Sequence, residues 1–418
     1  MKIAVVGAGI AGLTAAYLLC EDHQVTVFEA NDYIGGHTNT VAVSSGGESY
    51  AVDTGFIVFN EKTYPHFVAL MKRLGVSWRR SDMSFSVHCA DTGLEFKPST
   101  LDTMFAQRKN LFRPWFYRML TDALRFKKEC EAVLEQEGDE NQTLAEFLQE
   151  NRYSRGFVDY FILPMGAAIW SADPTGFGQF PVRYFAAFFK NHGFLNIKDQ
   201  PQWLTIEGGS SRYIEPLTRG FADRIRLNSP VAALRRSDDR VTVTVAGGDP
   251  EVFDQAIIAA HSDQALALLS DPTEKEQEIL GAIAYQENET VLHTDTAVLP
   301  VRRKAWAAWN YFIPPEKTGR VAVTYDMNIL QGLAAEEEFC TTLNRTADVD
   351  PAKVIRRIVY HHPVYNPTSL AARRRRDEIS GKNRTWYCGA YWHYGFHEDG
   401  VRSAVEVCRH FGKDLKNA

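Results

Sequence analysis

Gly7, Gly9 and Gly12 stand at the spacing G-x-G-x-x-G inside "VVGAGIAGLTAAYLL" (5–19). In such a loop the first glycine permits a tight turn and the second leaves room for a diphosphate. The third lets a following helix pack closely on a sheet. The chemistry is capture of a phosphate-bearing cofactor by backbone N–H groups and the positive end of a helix dipole. Glu29 follows at about 20 residues, where an acid grips a ribose hydroxyl and repels the extra phosphate of NADP. Gly35 and Gly36 then provide a second close backbone approach, which FAD needs more than the smaller NAD.

Elements of the right kind flank these residues. "KIAVVG" reads as a short buried strand, and Leu13, Ala16, Tyr17 and Leu19 follow at helical spacing. "QVTVFEA" (24–30) alternates as a second parallel strand that Glu29 ends. Further on, 227–236 and 240–248 alternate as a hairpin, and 253–261 reads as the next strand. Near the C-terminus "WYCGA" reads as a strand, and a helix is expected to open after Asp399–Gly400. Between these segments, 63–75 predicts a helix with Pro65 in its first turn and Gly75 as its stop. Thr143 and Glu146 form a capping box. In "FILPMGAAIWS" (161–171), Trp170 either lines an apolar pocket or belongs to the core.

The block from Val5 to Thr40 resembles the flavin amine oxidase superfamily. Its fingerprint is strand, G-x-G-x-x-G, helix, strand, Glu, then Gly-Gly-Arg-x-x-Thr. Gly7, Gly9, Gly12, Ala16, Glu29, Gly35, Gly36 and Thr40 match it. His37 stands in the arginine position, which weakens a permanent positive charge beside the diphosphate. "AVDTGFIVFN" (51–60) is similar to the family's next cofactor-side segment, with Asp53 and Gly55 in place. The resemblance implies that the backbone of Val231 lies against adenine. It also implies that the last helix aims its N-terminus at the flavin, making Asp399, Gly400 and Val401 contacts. The implied fold is α/β plus α+β: a Rossmann-like FAD-binding domain (1–60, 205–265 and 385–418) with a discontinuous inserted substrate domain (61–204 and 266–384). That is the arrangement of amine oxidases and glutathione reductase-2-like flavoproteins.

Farther along, "VDTGFIVFNEKTYP", "LPMGAAIWS", "TIEGGSSRYIEPL", "WAAWNY" and "GFHEDGVRSA" are similar to a bacterial group of NAD/FAD-binding flavoproteins. That group is related to the N-terminal part of plant cyclopropane fatty acid synthases and to flavoprotein acyl desaturases of furan fatty acid formation. The resemblance implies removal of hydride from an apolar substrate, foremost a fatty acyl chain of membrane lipid, with a lipid methyltransferase as partner. In the amine oxidase pattern a substrate-domain strand returns to the flavin at "VLHTD". His293 is therefore expected as the base, Asp295 is second, and Trp309 and Asn310 are expected in the pocket wall. Histidine can hold a proton near neutral pH. Amine oxidases carry a lysine near the flavin, and "VLHTDTAVLP" has none. An amine oxidase is accordingly the alternative, and a non-catalytic lipid-binding flavoprotein is the third reading.

Composition narrows the rest. A net charge of −6 argues against nucleic acid. Six cysteines without C-x-x-C spacing read as free thiols of a reducing compartment. His393 and His397 have helical i, i+4 spacing, but Gly395 between them argues for a turn, so no metal is expected. Lys2 leads directly into the glycine loop, so the N-terminus is read as a strand and not a cleaved leader. No apolar run reaches the roughly 18 residues of a membrane span. The segment 104–128 mixes aromatics with seven basic residues and one acid, Asp122. Phe116, Met119, Leu120, Ala123 and Leu124 form its apolar stripe. Such a segment either lies on an anionic membrane surface or packs on its own core with a basic outer face; the protein is read as cytoplasmic, and the first alternative makes it peripheral at the inner face of the membrane. Arg373 to Arg376 are expected on a solvated helix face.

Overall fold

A computed structural model describes residues 1–135, 142–174, 176–192, 201–316 and 319–415. Lys2–Val6 lies at the centre of a five-stranded parallel sheet. Gln24–Phe28 and Ile225–Arg226 follow on one side, Gln255–Ile258 and Thr385–Tyr387 on the other. A central parallel strand is covered on both faces, which explains its continuous apolar run. Ile3 and Val5 pack towards helices Ile10–Leu19 and His397–Arg409. Ala4 and Val6 pack towards the antiparallel sheet Val231–Arg236, Val241–Val245 and Pro250–Phe253. Alternation along one strand thus separates two cores.

The inserted half is built on a seven-stranded sheet. Its order is Val354–Pro363, Tyr285–His293, Cys340–Leu343, Val323–Asp326, Trp309–Ile313, Phe85–Cys89, Leu94–Phe96. Helices Pro114–Glu135, Leu163–Trp170 and Val182–Asn191 share one large, aromatic-rich core with it. The turn Val158–Ile162 widens to a π-helix just before Pro164. Proline brings no N–H, and such a bulge absorbs the missing hydrogen bond.

Packing moves the domain boundaries. Helix Pro65–Leu74 buries Phe67, Leu70 and Met71 in the core of the last helix, so the cofactor side extends past residue 60. Leu269, Ile279 and Leu280 extend it past residue 265. Conversely, Val41, Val43 and Val52 of the ribbon Thr40–Ser45/Glu48–Asp53 join the substrate-side core.

Three other expectations change. The last helix begins at His397, because Asp399 folds back to accept from Phe396 N at 2.9 Å and caps the helix earlier. Leu124 is exposed, and the buried stripe of its helix runs Phe116, Met119, Phe126, Cys130. The four arginines do not share a solvated face. Arg373 is buried, Arg375 pairs with Glu278 and Glu378, and Arg376 pairs with Glu406. The helix ends at Arg373, so the following turn sends each side chain a different way. The helix Pro65–Leu74 with Gly75 at φ 68° and the reciprocal Thr143/Glu146 box form as expected.

Candidate active site

The glycine loop joins Lys2–Val6 to the first helix. Gly7 has φ 103°, and a Cβ on Gly12 would lie 1.9 Å from Gly7 O. That contact is what lets the helix start directly at the sheet edge. A Cβ on Gly9 would meet nothing within 4 Å, so Gly9 faces open space. Gly36 approaches from the other side, its hypothetical Cβ 3.3 Å from Gly9 Cα, and Gly35 N donates to Ala8 O at 2.8 Å. These residues form a cradle with room at the one position where a diphosphate needs it.

Glu29 locks the loop from below. One carboxylate oxygen accepts from Ala8 N at 2.8 Å, the other from Asn31 N and Nδ2 at 2.9 Å. Ser229 N donates to Glu29 O at 2.8 Å, which brings the turn before Val231 to the same end. The structure therefore gathers Gly7, Gly9, Gly12, Glu29, Gly35, Gly36 and Val231 as one group.

A second helix N-terminus meets the first. A Cβ on Gly400 would sit 2.7 Å from Ile10 Cγ2, so only glycine allows the last helix so close to the first helix start. Two positive dipole ends then converge with unpaired N–H groups. The acids beside them are already committed. Glu398 accepts from His66 N and Phe67 N and caps the helix Pro65–Leu74, while Asp399 caps its own helix. Burial raises the Asp399 carboxyl to about 7. Asp399 N and Gly400 N both donate to Phe396 O, at 2.9 and 3.2 Å, so the first turn of the last helix closes on its own cap.

His37 is neutral. Burial, followed by the neighbouring His362 and His261, holds its imidazole well below the usual histidine range. Its ring stacks on Tyr360 at 4.8 Å, and Nε2 is buried with no partner among the described residues. An orphaned donor or acceptor at the cradle fits a cofactor better than a closed core. Gly55 serves His37, since a Cβ there would lie 2.3 Å from His37 O. Thr40 and Asp53 instead knit the junction. Asp53 accepts from Thr40 Oγ1 (2.6 Å), Ser210 N (2.8 Å), Ser210 Oγ (2.8 Å) and Gln331 Nε2 (3.1 Å). Burial raises it to about 6 against these donors.

His397, read in the sequence as part of the flavin-side structure in preference to a metal ligand, sits between Thr38 and Tyr213, 2.9 Å from each hydroxyl, and stacks on Phe56 at 3.7 Å. Burial lowers it to about 3. His393 turns away to Glu406. No group of three metal-ligating side chains occurs among the described residues. The glycine pair of "EGGSS" was the available signal for this region. Gly208 and Gly209 both take positive φ and bring Ser210 to Asp53.

His293 and Asp295 lie elsewhere. Tyr285, at the start of their strand, touches Ser262 on the cofactor side. His293 is eight residues on, roughly 26 Å at strand rise. Both its nitrogens are used: Nε2 lies 2.7 Å from Thr342 Oγ1, and Nδ1 accepts from Asp295 N at 3.0 Å. Asp295 accepts from Lys353 Nζ, Asp350 N and Ala297 N. The geometry makes this pair a strand-end clasp and not a base at the flavin. Asn310 is likewise saturated within its sheet. Trp309 packs edge-on against Tyr325 with Nε1 buried and unpartnered. Trp170 packs at 4.4 Å from Phe188 and 4.8 Å from Phe180, and its Nε1 donates to Tyr394 O at 3.2 Å. That places it against the segment leading into the last helix.

A glycine cradle, the acid that fastens it and two convergent helix starts beside an inserted aromatic unit define a dinucleotide-binding flavoprotein. The pattern of the family described as flavin containing amine oxidoreductase matches residues 10–410, and the chain belongs to that family. FAD is the cofactor its residues are built to hold. The flavin-dependent L-tryptophan oxidase RebO of Lentzea aerocolonigenes is 27% identical over 270 residues, 59% of this chain and 54% of that protein. The chain thus aligns with about half the length of this relative. The fold is that of cyclohexylamine oxidase from Brevibacterium oxydans IH-35A (TM-score 0.69, 16% identity, 98% and 99% of the two chains). It is equally that of a CLA-producing fatty acid isomerase from P. acnes (TM-score 0.69, 17% identity, 98% of each chain).

Proposed function

We propose that the protein is an FAD-dependent oxidase or desaturase that removes hydride from an apolar substrate, foremost a fatty acyl chain of membrane lipid. One observation carries this reading: an aromatic cluster packs between the helical layer and residues 391–396. Trp170, Phe188, Tyr184, Tyr394 and Phe396 stack there at ring distances of 4.4 to 6.3 Å. FAD, when bound, supplies the hydride acceptor. The chain's own work is to hold the diphosphate on Gly9, Gly36 and the two helix starts, and to exclude water from the aromatic wall. The two convergent dipoles favour negative charge near Gly400 and Val401.

Access to lipid is supported by the segment 104–128. Phe112 is 86% exposed, and Leu111, Tyr117 and Leu124 are exposed as well, beside Arg108, Lys109, Arg118 and Lys128. Asp122 is buried under Arg118 and Arg125, so it leaves the outer face basic. Basic, aromatic surfaces of this kind bind anionic bilayers. No described helix is long and apolar enough to cross a membrane.

The test is anaerobic. The FAD-loaded protein is mixed with vesicles carrying varied acyl chains, flavin bleaching is followed, and the lipid is weighed for loss of two hydrogens. Bleaching with product formation is expected. Flavin that stays oxidised with every acyl lipid overturns the reading. A second reading, oxidation of an amine or amino acid, draws on the similarity to the tryptophan oxidase. Peroxide release with such substrates and none with lipid would establish it.

A further inference from the structure

Arg373 is 6% exposed and forms no ion pair among the described residues. Its Nη2 donates weakly to Val364 O at 3.4 Å, while Nε and Nη1 are buried with no partner. Its guanidinium carbon lies 3.7 Å from the centroid of the Tyr365 ring. The hydroxyl of Tyr365 is itself buried and unpartnered, and a Cβ on Gly395 would lie 2.5 Å from it. Gly395 belongs to the segment that leads into the last helix, so this arginine stands at the edge of the aromatic cluster. A guanidinium cannot discharge itself by losing a proton. Burying it without an anion is costly, and such groups are kept where an anion completes them.

A cavity lies on the far side of Tyr184. Its volume is about 240 Å³, and it is lined by Leu370, Ala371, Pro181, Tyr184, Arg183 and Arg374. It is apolar in its walls and has two guanidiniums in its lining. Tyr184 is the partition: it faces the cavity on one side and stacks on Tyr365 at 5.9 Å on the other. A single hydrogen bond of 3.0 Å to His393 O holds its hydroxyl.

We propose that Arg373 anchors the oxyanion head of the apolar substrate, with Tyr184 as the gate between it and the cavity, whose apolar walls receive the chain. The proposal rests on the apolar-substrate reading above and deepens it by giving the substrate an acidic end. Two sources share that chemistry: the carboxylate of a free fatty acid and the phosphate of a phospholipid.

The experiment uses the FAD-loaded protein titrated with oleate, with 1-oleoyl-lysophosphatidate and with methyl oleate, read by tryptophan quenching. Wild type is expected to bind at least one of the two anions and to bind the uncharged ester far more weakly. Arg373→Met should weaken the anion by about 10- to 100-fold, the worth of charged hydrogen bonds. It should also leave the ligand-free melting temperature unchanged or higher, because it removes an unpaired charge. A purely structural arginine would do the reverse. If Arg373→Met does not fold, Arg373→Gln decides the matter by the same titration. Oleate alone responding identifies a free acid; lysophosphatidate alone identifies a phospholipid. Anion binding unchanged in either variant, or methyl oleate bound as well as oleate, overturns the proposal. Flavin that no lipid bleaches, alongside Arg373-dependent binding, overturns the redox reading and leaves the anchor standing.

Discussion

Two buried arginines divide the molecule. Arg236, beside the five-stranded sheet, donates to both oxygens of Glu276 at 2.8 and 2.9 Å and to Asp271 at 2.8 Å. Glu276 is completed by Tyr387 OH at 2.6 Å and by Thr273 N and Oγ1. Arg373, at the aromatic cluster, has two nitrogens without a partner among the described residues. On the cofactor side the Glu29 and Asp53 carboxylates are saturated by protein donors. On the substrate side Tyr365 OH and Trp309 Nε1 are not. The cofactor side also leaves His37 Nε2, Tyr391 OH and Trp392 Nε1 without partners among the described residues, so the contrast lies in the two arginines and in the backbone openings of the glycine cradle.

The strongest way to break this comparison is at the glycines. Gly12→Ala forces a Cβ to 1.9 Å from a backbone oxygen, which no side-chain adjustment relieves. It should give little folded protein and no bound FAD. Gly9→Ala places its Cβ in open space, so the ligand-free fold should survive while bound flavin is lost. Yield, melting temperature and flavin absorbance of the two purified variants separate the outcomes. Gly9→Ala retaining full flavin would remove the cradle from the cofactor site.

The glycine spacings were legible because a bound diphosphate constrains backbone, and backbone needs are written locally as Gly7, Gly9, Gly12, Gly35 and Gly36. Glu29 was legible for the same reason, at a fixed distance from the loop. His293 was not. A strand alternation fixes which face a side chain takes but not which end of the strand meets the other domain, and His293 lies at the far end. Asp399 was misjudged through helix-start chemistry: an acid two residues inside "FHEDG" is a cap for Phe396 N before it is a ligand contact. Arg373 was hidden in a run of four arginines. Nothing in "ARRRRDE" tells which one turns inward; packing of the helix Pro367–Arg373 on Tyr365 decides it.

A smaller effect tests the paired half. Arg236→Met leaves Glu276 buried without its partner and should cost about 3–5 kcal/mol. Burial alone would raise the Glu276 carboxyl, but Arg236, Tyr387 and Thr273 prevail and hold it at about 2. A folded pKa below the ordinary 4.5 contributes stability that is present above about 4.5 and lost as pH falls towards about 2. The gap between wild type and Arg236→Met in urea unfolding should therefore be constant from pH 7 to 5. It should narrow below pH 4.5. A gap independent of pH across that window would mean that the pair contributes packing and not charge.

The finest test sets two neighbours against each other. Asn310 accepts from Ser86 Oγ and Ala307 N, both at 2.9 Å, and donates to Ala307 O at 2.6 Å and Thr324 O at 3.1 Å. Asn310→Ala strands these groups in the interior and should cost about 2–3 kcal/mol. Trp309 is next in chain but on the opposite face of the strand, where its indole N–H meets no acceptor. Trp309→Phe keeps an aromatic ring against Tyr325 and removes only the unpaired donor, so its stability should stay within about 1 kcal/mol of wild type. If that donor is reserved for substrate, Trp309→Phe raises KM while the melting temperature stays put. Asn310→Ala lowers the melting temperature and leaves KM of the surviving fold nearly unchanged. Equal losses of stability in both would show that the two faces of the strand are equally closed, and the contrast between satisfied and unsatisfied polar groups would fail at this strand.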